Sequence, residues 1–407
     1  MADRRAPRVL VTDAGRGSAI AVIRSLGRRG WHVIAADADP RSPGFYSRFT
    51  SERLRYPRPQ RDPQEVVEAL LVATRERGVD LLVPVTDEIV LPLSAARERF
   101  AGLTTLALPD AAALAATGDK LATLQLAERL GVPTPRTRLV ETVGAAVSAG
   151  AEIGFPVVLK PRASRARHAD GLRAFEVAYA ADEAELRARM GRLEGRSPVL
   201  LQELCRGEGH GVELLLHRGR PLAAFQHRRL REVPLTGGAS AYRESVPLDP
   251  LLYGQAVRLL AALEWSGLAM VEFKVGPDGP RLMEINGRIW GSLPLAVASG
   301  MDFPARMADL YLSGPPDDAA APATTYRIGV RAHNLELEVV WIGSVLAGRR
   351  RQRSLPRPRR RDALAAAASL VSPSARYDIL ACDDPRPGAA EILKIAARVT
   401  RKLGRGG

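Results

Sequence analysis

The sequence predicts an α/β N-terminal domain built on a parallel sheet, followed by α+β domains and a basic C-terminal extension. Three observations predict it. Short apolar runs alternate with helical periodicity through the first hundred residues, the pattern of a parallel sheet with helices on both faces. Strand-like runs then cluster between flanking helices up to about residue 312. Finally, basic charge concentrates near the C-terminus: residues 346–407 hold 15 Arg or Lys against 5 Asp or Glu. The chain divides into 1–112, 113–198, 199–313 and 314–407, with the Pro/Ala-rich stretch Gly314–Ala323 as the last boundary.

The elements follow in order. Arg8–Asp13 reads as a buried strand, Ser18–Arg29 as a helix with Ile20, Ile23 and Leu26 inward, and Trp31–Asp37 as a second strand. Gln64–Arg77 is helical, Asp80–Val85 a strand and Glu88–Arg99 a helix. Lys120–Leu130 is a helix stopped by Gly131, with Pro133 and Pro135 beyond it. Pro156–Pro161 is a strand carrying Lys160, and Asp182–Leu193 is a helix. Strands follow at Val199–Glu203, Gly211–His217 and Pro221–Arg229, then a helix over Asp249–Leu263 with Asp249 as its cap and Pro250 in its first turn. Leu335–Leu346 is an apolar segment, and a short helix lies near Ala389–Leu403.

Composition excludes several classes. At 407 residues with 46% hydrophobic and 26% charged, the chain is ordinary globular protein, with no run of the ~20 apolar residues that would span a bilayer. The N-terminus reads as a first strand, not a signal peptide. Two cysteines, Cys205 and Cys382, exclude a disulfide framework and a Cys-rich zinc site, so a cytoplasmic setting is expected. The net charge is +14, but the last 62 residues carry +10 of it. No chain-wide nucleic-acid surface is expected, and contact with polyanions is confined to the Arg349–Arg361 run. That run otherwise reads as a solvated linker, so truncation after about Gly348 is expected to leave catalysis intact. Of the 59 basic residues only Lys120, Lys160, Lys274, Lys394 and Lys402 are lysine. A compact ammonium does what a planar guanidinium does not, so these five are candidates for specific work.

The first strand-to-helix turn contains Gly15-Arg16-Gly17, where backbone amides can receive an anion. Its pattern lacks the third glycine of a dinucleotide fingerprint, although Asp37 ends the second strand where a ribose-binding acid would lie. A dinucleotide site using Gly15, Gly17 and Asp37, and a simple tight turn, are both compatible with it.

The most informative stretch is Met270–Arg288, MVEFKVGPDGPRLMEINGR. Gly276-Pro277-Asp278-Gly279 is a turn between two alternating runs, hence a hairpin. With Val275 opposite Arg281, Phe273 faces Met283 and Glu272 faces Glu284. One face then holds Val271, Phe273, Val275, Met283 and Ile285. The other holds Met270, Glu272, Lys274, Leu282, Glu284 and Asn286. Opposed glutamates are destabilising unless a cation lies between them. Two carboxylates and an amide oxygen make a hard oxygen site suited to Mg²⁺ or Mn²⁺. On this reading Glu284→Gln slightly stabilises the metal-free protein. Arg288 follows at the next alternating position, where it can hold an anionic substrate or a transferring phosphoryl group.

Four segments in order, GDKLATLQLAERLGVPTP, GFPVVLKP, VLLQELCRGEGHGVELL and MVEFKVGPDGPRLMEINGR, resemble the ATP-grasp superfamily, as in biotin carboxylase and carbamoyl phosphate synthetase. The resemblance covers roughly residues 8–312. It implies a Rossmann-like domain before two ATP-grasp subdomains, with ATP and Mg²⁺ bound between them. It implies that Lys120 and Lys160 contact ATP phosphates. Gln202, Glu203 and Leu204 read the adenine, and Glu208 holds the ribose. Glu272, Glu284 and Asn286 bind the metal, and Arg288 acts in catalysis with Lys160. The family's glycine-rich phosphate lid corresponds to Ser164–Gly171, which has one glycine. Either Arg165, Arg167 and His168 replace the amide donors, or the lid closes poorly. Arg228, Arg229, Arg243 and Arg288 are candidates to bind a substrate carboxylate.

The implied function is a carbon–nitrogen bond-forming, ADP-releasing ligase. It activates a carboxylate as an acyl phosphate and joins it to an amine; small-molecule acid and amine are its partners, with a homodimer compatible. The alternatives are a bicarbonate-activating carboxylase-type enzyme, an NAD-dependent oxidoreductase and a non-catalytic nucleotide sensor.

Overall fold

The computed structural model describes residues 5–162, 165–168, 171–174, 177–194, 198–235, 237–317, 321–347, 358–372 and 374–403. The first five strands, β1 (Arg8–Val11), β2 (His32–Asp37), β3 (Glu52–Arg55), β4 (Leu81–Val83) and β5 (Thr105–Leu106), form a parallel sheet in the order β3-β2-β1-β4-β5. Its crossover helices are α1 (Gly17–Arg28), α2 (Pro63–Arg77) and α3 (Asp87–Ala95). Alternation explains why helices cover both faces. Leu10, Ile34 and Leu82 pack with Val66, Val67 and Leu70 of α2. Their neighbours Val9, Val11, Val33 and Ala35 pack with Ile23 and Leu26 of α1. β3 and β5 were not legible: ERLR is an edge strand with exposed charges, and β5 has two residues. α3 ends four residues earlier than expected, with Pro92 inside it.

Helices α4 (Ala111–Gly118) and α5 (Lys120–Arg129) lead into a four-stranded sheet. It runs β10-β7-β11-β6, comprising β6 (Thr137–Val140), β7 (Val157–Pro161), β10 (Ala178–Ala180) and β11 (Val199–Glu203). Between β7 and β10 the strands β8 (Arg165–His168) and β9 (Gly171–Ala174) pair as a two-stranded ribbon. Helices α6 (Val143–Ile153) and α7 (Glu183–Met190) cover one face, giving a small separate core around Leu159, Leu186 and Leu201. β11 pairs with β6 and β7. The edge of this sheet therefore falls after Glu203, not before Val199 as the sequence division had it.

The third sheet is mainly antiparallel, β16-β15-β12-β13-β14-β17. Its strands are β12 (Glu208–His217), β13 (Arg220–Val233), β14 (Ala239–Ser245), β15 (Gly267–Gly276), β16 (Gly279–Asn286) and β17 (Arg331–His333). The sequence reading assigns no strand at β14, which follows Gly237 and Gly238. Helix α8 (Pro250–Ala262) packs on one face, and α9 (Leu293–Ala298) and α10 (Phe303–Ser313) on the other. Both faces share their apolar layers with the first sheet, so these two domains are fused through common cores.

The C-terminal residues are not a detached extension. β17 completes the third sheet, followed by α11 (Leu335–Leu346), α12 (Arg360–Leu370) and α13 (Arg386–Leu403). Arg24 of α1 donates to Asp384 Oδ2 at 2.9 Å, to Ile379 O at 2.7 Å and to Asp384 O at 2.9 Å, with both side chains buried. Asp384 also accepts from Ser47 Oγ at 2.7 Å and Arg48 N at 2.9 Å. Lys394 Nζ reaches Asp39 at 2.7 Å. Buried Arg243 pairs with buried Asp378. Truncation after Gly348 would strip the partners from two buried arginines, which corrects the expectation that this part is dispensable. Most of the Arg349–Arg361 run lies outside the described residues.

Candidate active site

One cavity of about 630 Å³ opens where the three sheets and the C-terminal residues meet. Lys120, Lys160 and Lys274, three of the five lysines, line it. Two are brought together by a clamp. Asp119 caps α5 by accepting from Leu121 N, and it also accepts from Arg162 Nε at 2.9 Å and Nη2 at 2.6 Å. Lys120 N in turn donates to Arg162 O at 3.1 Å, so the start of α5 is fixed against the end of β7, which carries Lys160.

The β15–β16 hairpin sets the carboxylates. Glu272 does lie opposite Glu284, but by another route than the regular register supposed. Val275 faces Pro280 and Phe273 faces Leu282, and a bulge between Glu272 and Phe273 restores the Glu–Glu pair. The bulge exchanges two side chains relative to the expectation. Leu282 is fully buried in the core with Phe273, and Met283 turns to the cavity wall.

A chain of charges links these carboxylates. Lys274 Nζ reaches Glu232 Oε2 at 2.9 Å, Arg229 lies 3.2 Å from Glu232 Oε1, and Arg229 Nη2 lies 2.5 Å from Glu272 Oε1. Asn286 Nδ2 bridges Glu272 at 2.9 Å and Glu284 at 3.3 Å. Burial, reinforced by Glu284, raises the Glu272 pKa even against Arg229. For Glu284 burial also pushes upward, but Lys120, Lys160, Arg229 and Arg288 outweigh it and hold the carboxyl below its usual range. Burial holds the Lys160 ammonium below its ordinary range, against the pull of Glu284. The two glutamates are therefore compensated by protein cations. This corrects the expectation that Glu284→Gln would relieve repulsion: the change would instead remove the carboxylate charge on which Lys120 and Lys160 act.

Two opposed carboxylates and a neighbouring amide fit a hard divalent cation. The amide oxygen and nitrogen are assigned by hydrogen bonding, and Asn286 turned over presents Oδ1 on the same side as the carboxylates. Among the described residues no three His, Cys, Asp or Glu form a metal-holding cluster, so any cation here takes its further ligands from water or a bound anion.

The segment after β11 forms a second wall. Gln202 is buried and donates to Thr137 Oγ1 at 2.9 Å. Glu203 accepts from Arg136 Nε at 2.7 Å, and Glu203 N donates to Arg136 O at 3.0 Å. Gln202, Glu203, Leu204 and Cys205 all line the cavity. Val158, Tyr179, Leu204 and Met283 give this end an apolar lining. Arg288 lines the cavity with Nε 3.0 Å from Asp87 Oδ1. Burial would lower its pKa, but Asp87 and the two glutamates raise it.

Other candidates lie elsewhere. Glu208 is exposed and outside the cavity lining, 3.6 Å from Arg228. Arg228 points to the other face of β13 and pairs with Glu244 at 2.8 Å. Arg243 is consumed by Asp378. Of the four arginines only Arg229 and Arg288 reach the cavity. The side chains of Arg165, Arg167 and His168 lie outside the described residues. Asp37 is spent on the turn itself, accepting from Gly15 N at 2.7 Å, Ser42 Oγ at 2.9 Å and Asp39 N at 2.8 Å. A carboxylate so engaged is not available to a ribose, which argues against the dinucleotide reading. The sequence reading missed Glu232, Asp87, Asn334 and Glu391 in the cavity lining. Glu232 alone had a legible signal, as an acid on the same strand as Arg229.

Comparisons with known proteins agree with this architecture. Residues 196–334 match the family model described as ATP-grasp in the biosynthetic pathway with Ter operon. The chain is 25% identical over 301 residues to the carbamoyl phosphate synthase large chain of Vibrio vulnificus, covering 71% of this chain and 26% of that protein. It is 27% identical over 303 residues to the Myxococcus xanthus enzyme of the same name, covering 71% and 26%. The chain thus spans about a quarter of the length of these relatives. Among solved structures, the biotin carboxylase domain of Hydrogenobacter thermophilus 2-oxoglutarate carboxylase, in complex with MgADP, ADP and bicarbonate, is similar with TM-score 0.61. Its identity is 18%, over 80% of this chain and 73% of that one. An L-amino acid ligase from Bacillus licheniformis is similar with TM-score 0.56 and 15% identity, over 76% and 75%. These findings define the class: the chain has the ATP-grasp fold.

Proposed function

We propose that the protein is an ATP-dependent ligase that activates a substrate carboxylate as an acyl phosphate and joins it to an amine. The observation that carries this reading is the opposition of Glu272 and Glu284 in one cavity with Lys120 and Lys160. In this reading the adenine lies in the slot of Val158, Tyr179, Leu204 and Met283, and the backbone after β11 reads its edge. Lys120 and Lys160 hold the phosphates, each as a compact charge approachable from several angles. Mg²⁺ or Mn²⁺ held by Glu272, Glu284 and Asn286 would supply, when bound, charge neutralisation for the phosphates. Arg229 holds the Glu272 carboxylate, and Asn286 holds both glutamates in register. Arg288, steadied by Asp87, orients the substrate acid. A carboxylate oxygen attacks the γ-phosphorus and ADP departs; the amine nitrogen then attacks the acyl carbon, phosphate leaves, and the amine proton passes to water. Lys160 offsets charge on the transferring group.

No helix among the described residues is long and apolar enough to cross a membrane, and both cysteines are free. A homodimer, as in the printed name of the Hydrogenobacter domain, belongs to the same proposal. The test is a screen for ADP release over amino acids, hydroxy acids and bicarbonate, with hydroxylamine as trap. A carboxylate-dependent hydroxamate supports the ligase; ADP release with bicarbonate alone favours the carboxylase-type reading. No release with any acid would overturn both.

A further inference from the structure

The cavity has a wall that the ATP reading does not use. The uncapped start of α1, at Gly17 and Ser18, lines it with Arg16 on the rim, and Glu391 of α13 and Asn334 line the same region. Glu391 is only 6% exposed. Among the described residues it has no hydrogen-bond or ion-pair partner, and four basic residues of this region hold other acids. Arg24 is held by Asp384, Arg243 by Asp378, Lys394 by Asp39 and Arg398 by Glu336. Its other acidic neighbour, Asp378, is occupied by Arg243 and by Asn334 Nδ2 at 3.0 Å. The carboxyl faces the cavity, open to a partner of opposite charge brought by a ligand. The start of α1 offers amide donors and the positive end of a dipole. Gly17 is required there, since a Cβ on it would lie 2.8 Å from Asp378 Cβ.

We infer that this wall is the subsite for the amine substrate, and that the amine is an amino-acid-like zwitterion. Its ammonium docks on Glu391, and its carboxylate on the α1 amides with Arg16. The inference rests on the ligase reading and names the class of its nucleophile. It also gives the C-terminal residues a role in specificity: they supply the acid that selects the second substrate. Burial, with Asp378 nearby, raises the Glu391 pKa to about 7 against the pull of Arg24. Ammonium binding needs the carboxylate, so affinity for the amine should rise as pH increases through about 7.

The test separates this inference from the ligase reading. Without ATP, the twenty standard amino acids and their N-acetyl forms are titrated by calorimetry against wild type, Glu391→Gln and Glu391→Asp. ATP titration and circular dichroism on the same samples report folding. At least one amino acid should bind wild type in preference to its N-acetyl form. Glu391→Gln should weaken that binding by about 10- to 100-fold, the scale of a lost charged hydrogen bond. Glu391→Asp should recover part of it, and the rise with pH should vanish in Glu391→Gln. ATP affinity and hydroxylamine-trapped acyl phosphate formation should persist in Glu391→Gln. Equal binding of the amino acid to wild type and to a folded Glu391→Gln overturns the inference, as does the absence of any preference for a free amine across the panel. Loss of acyl phosphate formation in wild type would strike the ligase reading instead.

Discussion

Asp384 is the point where the C-terminal residues grip the first domain, and its replacement tests whether that grip is structural. Asp384→Leu leaves the guanidinium of Arg24 buried, with 7% side-chain exposure and no carboxylate. It also orphans Ser47 Oγ and Arg48 N, which lie 2.7 and 2.9 Å from the lost oxygens. Breaking a buried ion pair from one side costs about 3–5 kcal/mol. Arg24→Met should cost less than Asp384→Leu, because the Ser47 and Arg48 contacts to Asp384 survive. The double variant removes both charges, so its cost should fall short of the sum by about 1–3 kcal/mol, the range for residues in contact. The measurement is urea unfolding of wild type, both single variants and the double variant. Additive costs, or a cost under about 1 kcal/mol for Asp384→Leu, would show that the C-terminal residues are loosely attached and would refute the reasoning.

Other expectations follow from the same geometry. Glu213 is fully buried, with Ser292 Oγ donating to it at 2.9 Å and His227 Nδ1 3.0 Å away, and burial raises its pKa to about 8. A raised acid binds more protons in the fold, so its contribution to stability falls as pH rises from about 4.5 to about 8. His227, held well below 6.5, acts oppositely below that pH, while Glu391, raised to about 7, adds to the decline around pH 7, so the Glu213 part is read as the difference between wild type and Glu213→Gln. Stability curves by urea should show a decline at pH 7–8 that is shallower in Glu213→Gln; an unchanged slope would contradict it. Gly207 sits at φ +141° with a would-be Cβ 2.3 Å from Val275 O. Gly207→Ala should therefore cost at least about 1 kcal/mol, and wild-type stability in the variant would count against the close approach. Glu284→Gln should lower ADP release by at least ~100-fold, and full activity would end the metal assignment.

Much of the site was legible because few residue types compete for its chemistry. In a chain that uses arginine almost everywhere, Lys120, Lys160 and Lys274 stood out, and they meet in one cavity. The hairpin pattern gave the Glu272–Glu284 pair, since burying the apolar set admits few registers. What periodicity does not reveal is a bulge, so Leu282 and Met283 were assigned to exchanged faces. Arginine pairs were equally hidden: whether Arg228, Arg229 or Arg243 reaches the cavity depends on acids as distant as Asp378. The role of the C-terminal residues was invisible for the same reason. Arg24 and Asp384 are 360 positions apart, and an Arg-rich stretch between them dominates the composition.

The central claim is that a triphosphate lies between Lys160 and the glutamate pair. Calorimetric titration of ATP and adenosine into wild type, Lys160→Met and Lys160→Arg tests it most directly. The account predicts that Lys160→Met binds ATP more weakly by about 1–3 kcal/mol, the scale of a charged hydrogen bond. Adenosine should bind both proteins alike, since the base rests on the wall after β11. Lys160→Arg should recover only part of the loss, because a planar fork does not replace a compact ammonium. Equal ATP affinity in wild type and Lys160→Met would contradict the phosphate role of Lys160 and the placement of the nucleotide in this cavity.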